Sequence, residues 1–241
     1  MKIRIKFERN GVMKFVGHLD IMRYFQKAIR RADFDIAYSE GYSPHQIMSF
    51  AAPLGVGITS SGEYLDIQVH STRSSLESVE RLNQVSVDGI LVKSYRKLED
   101  SAPNAMSIVA AADYEVRFRI PPSFADWQEK LLAFYRQPSI LITKKTKKSE
   151  REIDLKPLIL ALDLKDSQVN MRLSTGSVDN IKPELVMEAF YHSLGLTLPE
   201  FCLLIHRQEL YARTDDSSSC DGSNAEKTVF TALEDLGEEI E

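Results

Sequence analysis

Hydrophobic and polar residues alternate over residues 2–8, where Ile3, Ile5 and Phe7 stand against Lys2, Arg4 and Lys6. A period of two predicts a strand with one buried face. Asn10-Gly11 is a turn signal, and Met13, Phe15 and Val16 continue an extended stretch. Over residues 18–33 the period becomes helical. Met22, Phe25, Ile29 and Ala32 share one side, and Arg23, Lys27, Arg30 and Arg31 share the other. Such a stripe is ordinarily a solvated face, but four cations with no acidic residue four positions on exceed what solubility needs. Residues 34–39 read as a second strand. Residues 63–70, with Leu65, Ile67 and Val69 alternating, read as a third. Residues 73–85 carry Leu76, Val79 and Leu82 at helical spacing, and residues 90–98 read as a fourth strand. The order β-α-β-β-α-β is the ferredoxin-like arrangement.

The pattern recurs. A strand is expected over 114–120, a helix over 124–136 after Pro121-Pro122-Ser123, and a strand over 139–145 that turns into 151–155. A further strand covers 169–173. A helix starts near Pro183 and ends before Gly195, the usual asymmetry of helix ends. Residues 201–210 are the last strand. The expected fold is therefore α+β: two tandem ferredoxin-like halves, residues 1–100 and 111–212, with an extra hairpin in the second. The first half carries a long loop, residues 38–57, rich in Gly, Ser and Pro. Ile47, Met48, Phe50 and Leu54 make it too apolar for a free linker, and loops of this length in compact domains are commonly functional.

A length of 241 residues, 43% hydrophobic and 27% charged, suits two soluble domains. No apolar run approaches the ~18 residues that span a bilayer, and residues 1–10 lack the apolar core of a signal peptide. A cytoplasmic protein without membrane contact is expected. The net charge of −5 conceals an asymmetry: residues 214–241 hold nine acidic residues and one basic, so the rest is mildly basic. That balance permits an anionic partner. Residues 214–241 read as an acidic, disordered tail, with at most a marginal short helix over 228–236. Two cysteines, Cys202 and Cys220, supply neither a disulfide framework nor a cysteine metal site, and no cofactor is expected.

Candidate chemistry is sparse. Asp20 suits a helix N-terminus, where it meets free N–H groups and the positive end of the dipole. His18 beside it and His45 in the long loop are the candidate acid–base residues; both also fit plain structural hydrogen bonding. The spacing of His18, Asp20, His45 and Glu63 matches no zinc pattern, so no metal is expected. Gly55-Val56-Gly57 lacks the Lys-Ser/Thr of a phosphate loop. Lys144, Lys145, Lys147 and Lys148, with Arg151, form a basic hairpin tip that either keeps an edge soluble or contacts phosphates. With the helix stripe, Tyr42, Tyr95 and Arg96, it favours RNA, although the sheet-centred aromatic signature of the RNA-binding ferredoxin-like module is absent.

Lys14-Phe15-Val16-Gly17-His18-Leu19-Asp20, Arg23, Arg30-Arg31-Ala32, the 38–57 loop and Glu63-Tyr64-Leu65-Asp66 resemble the radical-SAM-linked protein family, a domain of unknown function. The resemblance is strong over residues 1–70. It continues more weakly through Ala111-Ala112-Asp113-Tyr114 and Ile153-Asp154-Leu155-Lys156-Pro157-Leu158 to about residue 210, leaving the acidic tail outside. It implies fusion to, or encoding beside, a radical SAM protein, and for some members proximity to a ribonuclease of the E/G type. Relatives carry Pro-His-Pro-Lys where this chain has Pro44-His45-Gln46-Ile47, while Gly41, Pro44 and His45 match. Two distant cysteines do not hold a radical SAM iron–sulfur cluster, so the chain would assist such an enzyme.

The leading expectation is an accessory protein that presents structured RNA to a separate radical SAM enzyme. Its substrate-binding residues would be Arg23, Lys27, Arg30, Arg31, Gly41, Tyr42, Pro44, His45, Lys144, Lys145, Lys147 and Lys148. The alternatives are a metal-independent RNA-processing enzyme using His45 or His18, and a scaffold that only docks protein.

Overall fold

The computed structural model describes residues 1–145, 150–176, 179–214 and 229–241. The fold is mixed α+β, with mostly antiparallel strands, and the chain divides into two compact units. Unit 1 comprises residues 1–111 and 209–241; unit 2 comprises residues 112–208.

Unit 1 is built on strand β1 (Lys2–Arg9), which lies antiparallel between β3 (Thr59–Gln68) and β4 (Ile90–Leu98). The alternation of β1 sends Ile3, Ile5 and Phe7 into a fully buried face. Helix α1 (His18–Arg31) covers that face with Ile21, Phe25, Ala28 and Ile29, and α2 (Ser75–Gln84) adds Leu82. Phe7, Phe25 and Phe50 form the aromatic centre, with the Phe7 and Phe25 rings 4.6 Å apart. Ser74 caps α2 by accepting the Glu77 N–H at 3.2 Å. Gly89 is required by its turn: its φ is +89°, and a Cβ there would lie 2.6 Å from the Asn10 carbonyl oxygen.

Residues 34–39 do not form the expected strand. Ile36 bridges Val69, and the Ala37 N–H donates to the Gln68 carbonyl at 2.8 Å. The chain then leaves the sheet and returns as β2 (Met48–Phe50), pairing with Ile67, Asp66 and Leu65 of β3. Successive partners 69, 68, 67, 66 and 65 show one edge strand interrupted by an excursion over residues 38–47. The excursion is closed by a Tyr38–Gln46 bridge and by Ile47 N–H donating to Ala37 at 2.9 Å.

The other face of β1 carries Arg4 and Lys6, and polar contacts cover it. Arg4 binds Asp66 bidentately at 2.8 and 3.0 Å and donates to the Leu233 carbonyl at 3.2 Å. The Asp66 carboxylate also accepts the Ala105 N–H at 2.7 Å, at the start of the short helix α3 (Ala105–Ile108). Lys6 pairs with Glu209 at 2.6 Å and with Glu234. Burial alone pulls the Lys6 ammonium down, but the hydrogen bonds and charges of Glu209 and Glu234 outweigh it and hold it above its ordinary value.

Residues 229–241 correct the tail assignment. Val229–Ala232 form a strand, labelled β11 in the chain order completed below, followed by a 3-10 turn, Leu233–Leu236. Glu238 exchanges backbone hydrogen bonds with Lys97, while the Ile240 carbonyl accepts the Ser75 N–H and the Ile240 N–H donates to Ser75 Oγ. Where isolated helix formation would be marginal, acidic side chains here find buried or half-buried cations, and Leu233 is fully buried. Residues 215–228, also read as tail, lie outside the described residues.

Tyr64 donates its phenol hydrogen to Glu209 at 2.6 Å. Burial first, and then the Glu209 charge, drive its pKa far above that of a free phenol. Tyr95 is likewise pushed up to about 12 by burial. Raised folded-state values mean that stability is intact below about pH 10, where the unfolded chain keeps the same protons, and is lost as pH rises beyond it. Urea midpoints should hold steady to about pH 9 and fall above about pH 10, with a shallower fall in Tyr64→Phe. An equal slope in that variant would remove Tyr64 as a source.

Unit 2 takes β5 (Val109–Phe118) from Ala112 onward and β10 (Leu203–Thr214) up to Gln208. Its strand order is β10-β5-β9-β8, with β8 (Ile159–Lys165) and β9 (Gln168–Ser174) antiparallel. Helices α4 (Trp127–Tyr135) and α5 (Pro183–Ser193) bury Leu131, Phe134, Val186, Met187, Phe190 and Tyr191. Between α4 and β8 sits the extra hairpin, β6 (Leu141–Lys145) and β7 (Glu150–Asp154). Strand β8 escapes a period-two reading because a register shift between Ile159 and Ala161 places its buried residues, Ile159 and Leu162, three apart.

Candidate functional site

The strongest candidate lies in unit 1, where α1 meets the excursion of residues 38–47. The Gln46 side chain is buried and donates to the Gln26 carbonyl on α1 at 3.3 Å. This seats the root of the excursion against the helix. Beyond the root, the Ser39 N–H donates to the His45 carbonyl at 2.8 Å, and the His45 N–H donates to Ser39 Oγ at 3.1 Å. Ser39 Oγ also lies 2.8 Å from His45 Nδ1. Gly41 adopts φ +107°, a conformation that side chains resist, so it turns the tip. Tyr42, Pro44 and His45 are exposed there, Tyr42 fully.

Helix geometry puts Leu19, Arg23 and Arg30 on the flank of α1 that adjoins Gln26, and hence beside this excursion. Arg23, Lys27 and Arg30 are all exposed. Arg23 pairs with Asp20 at 3.2 Å, an exposed pair of little energetic weight. Asp20 stands in the first turn but makes no capping hydrogen bond; Gly17 is the N-cap. Arg31 is separate. It turns to the opposite flank and donates to the Val85 carbonyl at 3.2 Å, at the C-terminus of α2, where a cation complements the helix dipole. Its role is structural.

His18 lies half-buried at the start of α1, its ring edge-on to Phe50 at 5.2 Å. Burial, then the charge of Arg9, hold its imidazole below the ordinary value. The buried Arg9 donates to the carbonyls of Met13 (2.9 Å), Lys14 (3.2 Å) and Val16, and so pins the 3-10 turn Gly11–Phe15. Gly57 N–H binds the Lys14 carbonyl at 2.8 Å, drawing the 51–58 loop to the same turn. The result leaves Phe15 and Leu19 65% and 61% exposed. The pattern of the chain does not single out these two exposed apolar residues, although Leu19 lies off the apolar stripe of α1.

The remaining predicted residues are elsewhere. Lys144 and Lys145 end β6 in unit 2, and Lys147 and Lys148 lie outside the described residues. Tyr95 is buried in unit 1, donating to or accepting from Thr72 at 2.7 Å, so it offers no stacking face. Among the described residues, no group of three or more His, Cys, Asp or Glu could hold a metal ion. No helix among them is long and apolar enough to cross a membrane.

Residues 2–183 match the family described as "Uncharacterized protein conserved in bacteria (DUF2344)". The chain belongs to that family. No curated protein matches it. Among solved structures, a chain of a "Crystal Structure of a Cbf5-Nop10-Gar1 Complex" is similar, with 8% identity and a TM-score of 0.43. That similarity covers 86% of this DUF2344 chain and 48% of the other, so this chain spans about half the length of that one.

Proposed function

We infer that this protein is a non-catalytic accessory factor, cytoplasmic, that binds structured RNA on the α1 surface and presents it to a separate radical SAM enzyme. The observation that carries the RNA reading is the run of exposed Arg23, Lys27 and Arg30 on α1, whose Arg23–Arg30 flank adjoins the hydrogen-bonded tip bearing Tyr42 and His45; among the described residues only Asp20 is an acidic partner, and it pairs with Arg23. Cations supply phosphate attraction, and an exposed aromatic supplies a stacking face. The radical SAM link rests on the resemblance of residues 14–66 to the radical-SAM-linked family.

Each unit is, in this reading, ferredoxin-like. Unit 1 has the order β4-β1-β3-β2, and unit 2 has β10-β5-β9-β8. Both equal 4-1-3-2 in a β-α-β-β-α-β chain. The β1 face opposite α1 is covered by residues 229–241, which leaves the helix side of unit 1 for RNA.

Charge reversal of Arg23, Lys27 and Arg30 to Glu is expected to abolish RNA retention. Replacing the same three by Ala should flatten the dependence of log affinity on log salt by about one unit per cation. Unchanged binding in both variants would overturn the assignment. The exposed Phe15 and Leu19 favour a second reading, docking of protein, which salt-insensitive binding to the radical SAM chain without RNA affinity would support. The enzyme alternative predicts RNA cleavage by the pure protein that disappears in His45→Ala.

A further inference from the structure

Unit 2 contains a cavity of about 650 Å³ that the sequence reading did not single out. It lies between the end of β5, Pro121-Pro122, the first residue of α4 and the β8–β9 turn. Its walls include Arg117, Phe118, Trp127 and Lys165. We propose that this cavity binds one unpaired nucleobase, stacked on Trp127, from a single-stranded stretch of nucleic acid.

Four observations support it. First, Trp127 meets Phe118 at 5.1 Å with the rings 77° apart. An edge-to-face contact leaves at least one indole face uncovered by Phe118. Asp126, immediately before it, is left-handed at φ +56°, so the chain turns sharply to place the indole at the cavity. Second, the Trp127 side chain has no hydrogen-bond acceptor among the described residues, so its N–H is available to a base or ribose. Third, the Arg117 guanidinium is held in place by Gln168 (2.7 Å) and Glu115 (3.3 Å) while its side chain stays 64% exposed. A fixed guanidinium plane is a second stacking surface. Fourth, Lys165 is exposed and has no carboxylate partner among the described residues, which suits a backbone phosphate. The β8–β9 turn that forms the far wall is rigid in type: Asp166 and Ser167 both have positive φ, as a two-residue hairpin turn requires. A volume of this size falls within the range of small-ligand sites and exceeds one base.

The identity of the ligand rests on the RNA reading above; the site itself does not use α1. Trp127 is the only tryptophan of the chain, so emission excited at the red edge of the protein spectrum, where the nine tyrosines do not absorb, reports on this side chain. Oligouridylate and uridine 5′-monophosphate are titrated in, with oligonucleotide binding followed in parallel by anisotropy. Saturable quenching by both probes is expected. Trp127→Ala should weaken oligouridylate binding on the order of tenfold, the size of one lost base stack, and Trp127→Phe should restore most of it. Lys165→Ala should weaken both probes, each of which carries a phosphate, while leaving the quenching at saturation unchanged. Because Trp127→Ala removes packing, the wild-type titration decides independently of any variant. Oligonucleotide bound without a change in Trp127 emission would overturn the proposal and leave the α1 reading intact. Quenching by uridine 5′-monophosphate that persists in the α1 charge-reversal variant would uphold the cavity even if the α1 surface fails. Quenching by a proline-rich peptide with both nucleotides silent would overturn it in favour of a protein ligand.

Discussion

Asp66→Ala is expected to destabilise unit 1 by about 3–5 kcal/mol, among the largest effects of any single substitution. The Arg4 and Asp66 side chains are 1% and 8% exposed and meet through two hydrogen bonds of 2.8 and 3.0 Å. Removing the carboxylate leaves a buried guanidinium without its counter-charge, and it also leaves the Ala105 N–H without an acceptor. The reverse change, Arg4→Ala, takes a donor from the Leu233 carbonyl and leaves the Asp66 carboxylate with the Ala105 N–H and no counter-charge from Arg4. A pair of this kind is worth much less than the damage done by halving it. The double variant Arg4→Met with Asp66→Leu should therefore recover a large part of the loss. Urea unfolding of the three variants checks this. A double variant as unstable as the worse single variant would show that shape, not charge compensation, decides the site.

The same pair explains what could and could not be read from the chain. Strand β1 was legible because Ile3, Ile5 and Phe7 alternate locally, and α1 because Phe25 and Ile29 repeat at helical spacing. Pro183 at the start and Gly195 past the end marked the limits of α5. Nothing local says that Arg4 is buried, since its partners lie at Asp66 and Leu233. The fate of residues 229–241 was hidden for the same reason: Lys6 and Glu234 meet across 228 positions. Composition alone assigns an acidic, Ser-rich stretch to disorder, and it has no term for complementary cations waiting on a distant strand. The edge strand was misplaced because its backbone register is continuous while its sequence is not. Ile36 and Met48 are neighbours along β3 only after residues 38–47 are set aside.

The candidate surfaces follow the same division. Arg23, Lys27 and Arg30 were visible as a stripe, but the stripe could not show that Arg31 is spent on the end of α2. His45 was visible in its loop, whereas its tie to Ser39 needed the closure of that loop. Trp127 was passed over because a single aromatic at the head of a weakly amphipathic helix reads as core. Its setting depends on a turn at Asp126 and a hairpin at Asp166-Ser167, neither of which has a strong signature on its own.

Deleting residues 229–241 should destabilise unit 1 by more than Leu233→Ala alone, for which a fully buried leucine implies about 2–5 kcal/mol. The apolar contribution dominates. The Arg96–Glu239 pair has a Glu239 side chain 71% exposed, and such pairs add at most about 1 kcal/mol. Lys6–Glu234 is more sheltered, and its loss leaves Lys6 with Glu209 alone. The deletion also removes the Leu233 carbonyl that Arg4 uses and the Glu238 and Ile240 backbone bonds to Lys97 and Ser75. A chain ending at residue 228 should thus show a lower urea midpoint than both the full chain and Leu233→Ala. Glu239→Gln should leave the midpoint nearly unchanged. If the truncated chain unfolds at the same midpoint as the full one, the segment is not part of the packed unit. The β1 face bearing Arg4 and Lys6 would then be open, and RNA binding would have to be tested there as well as on α1.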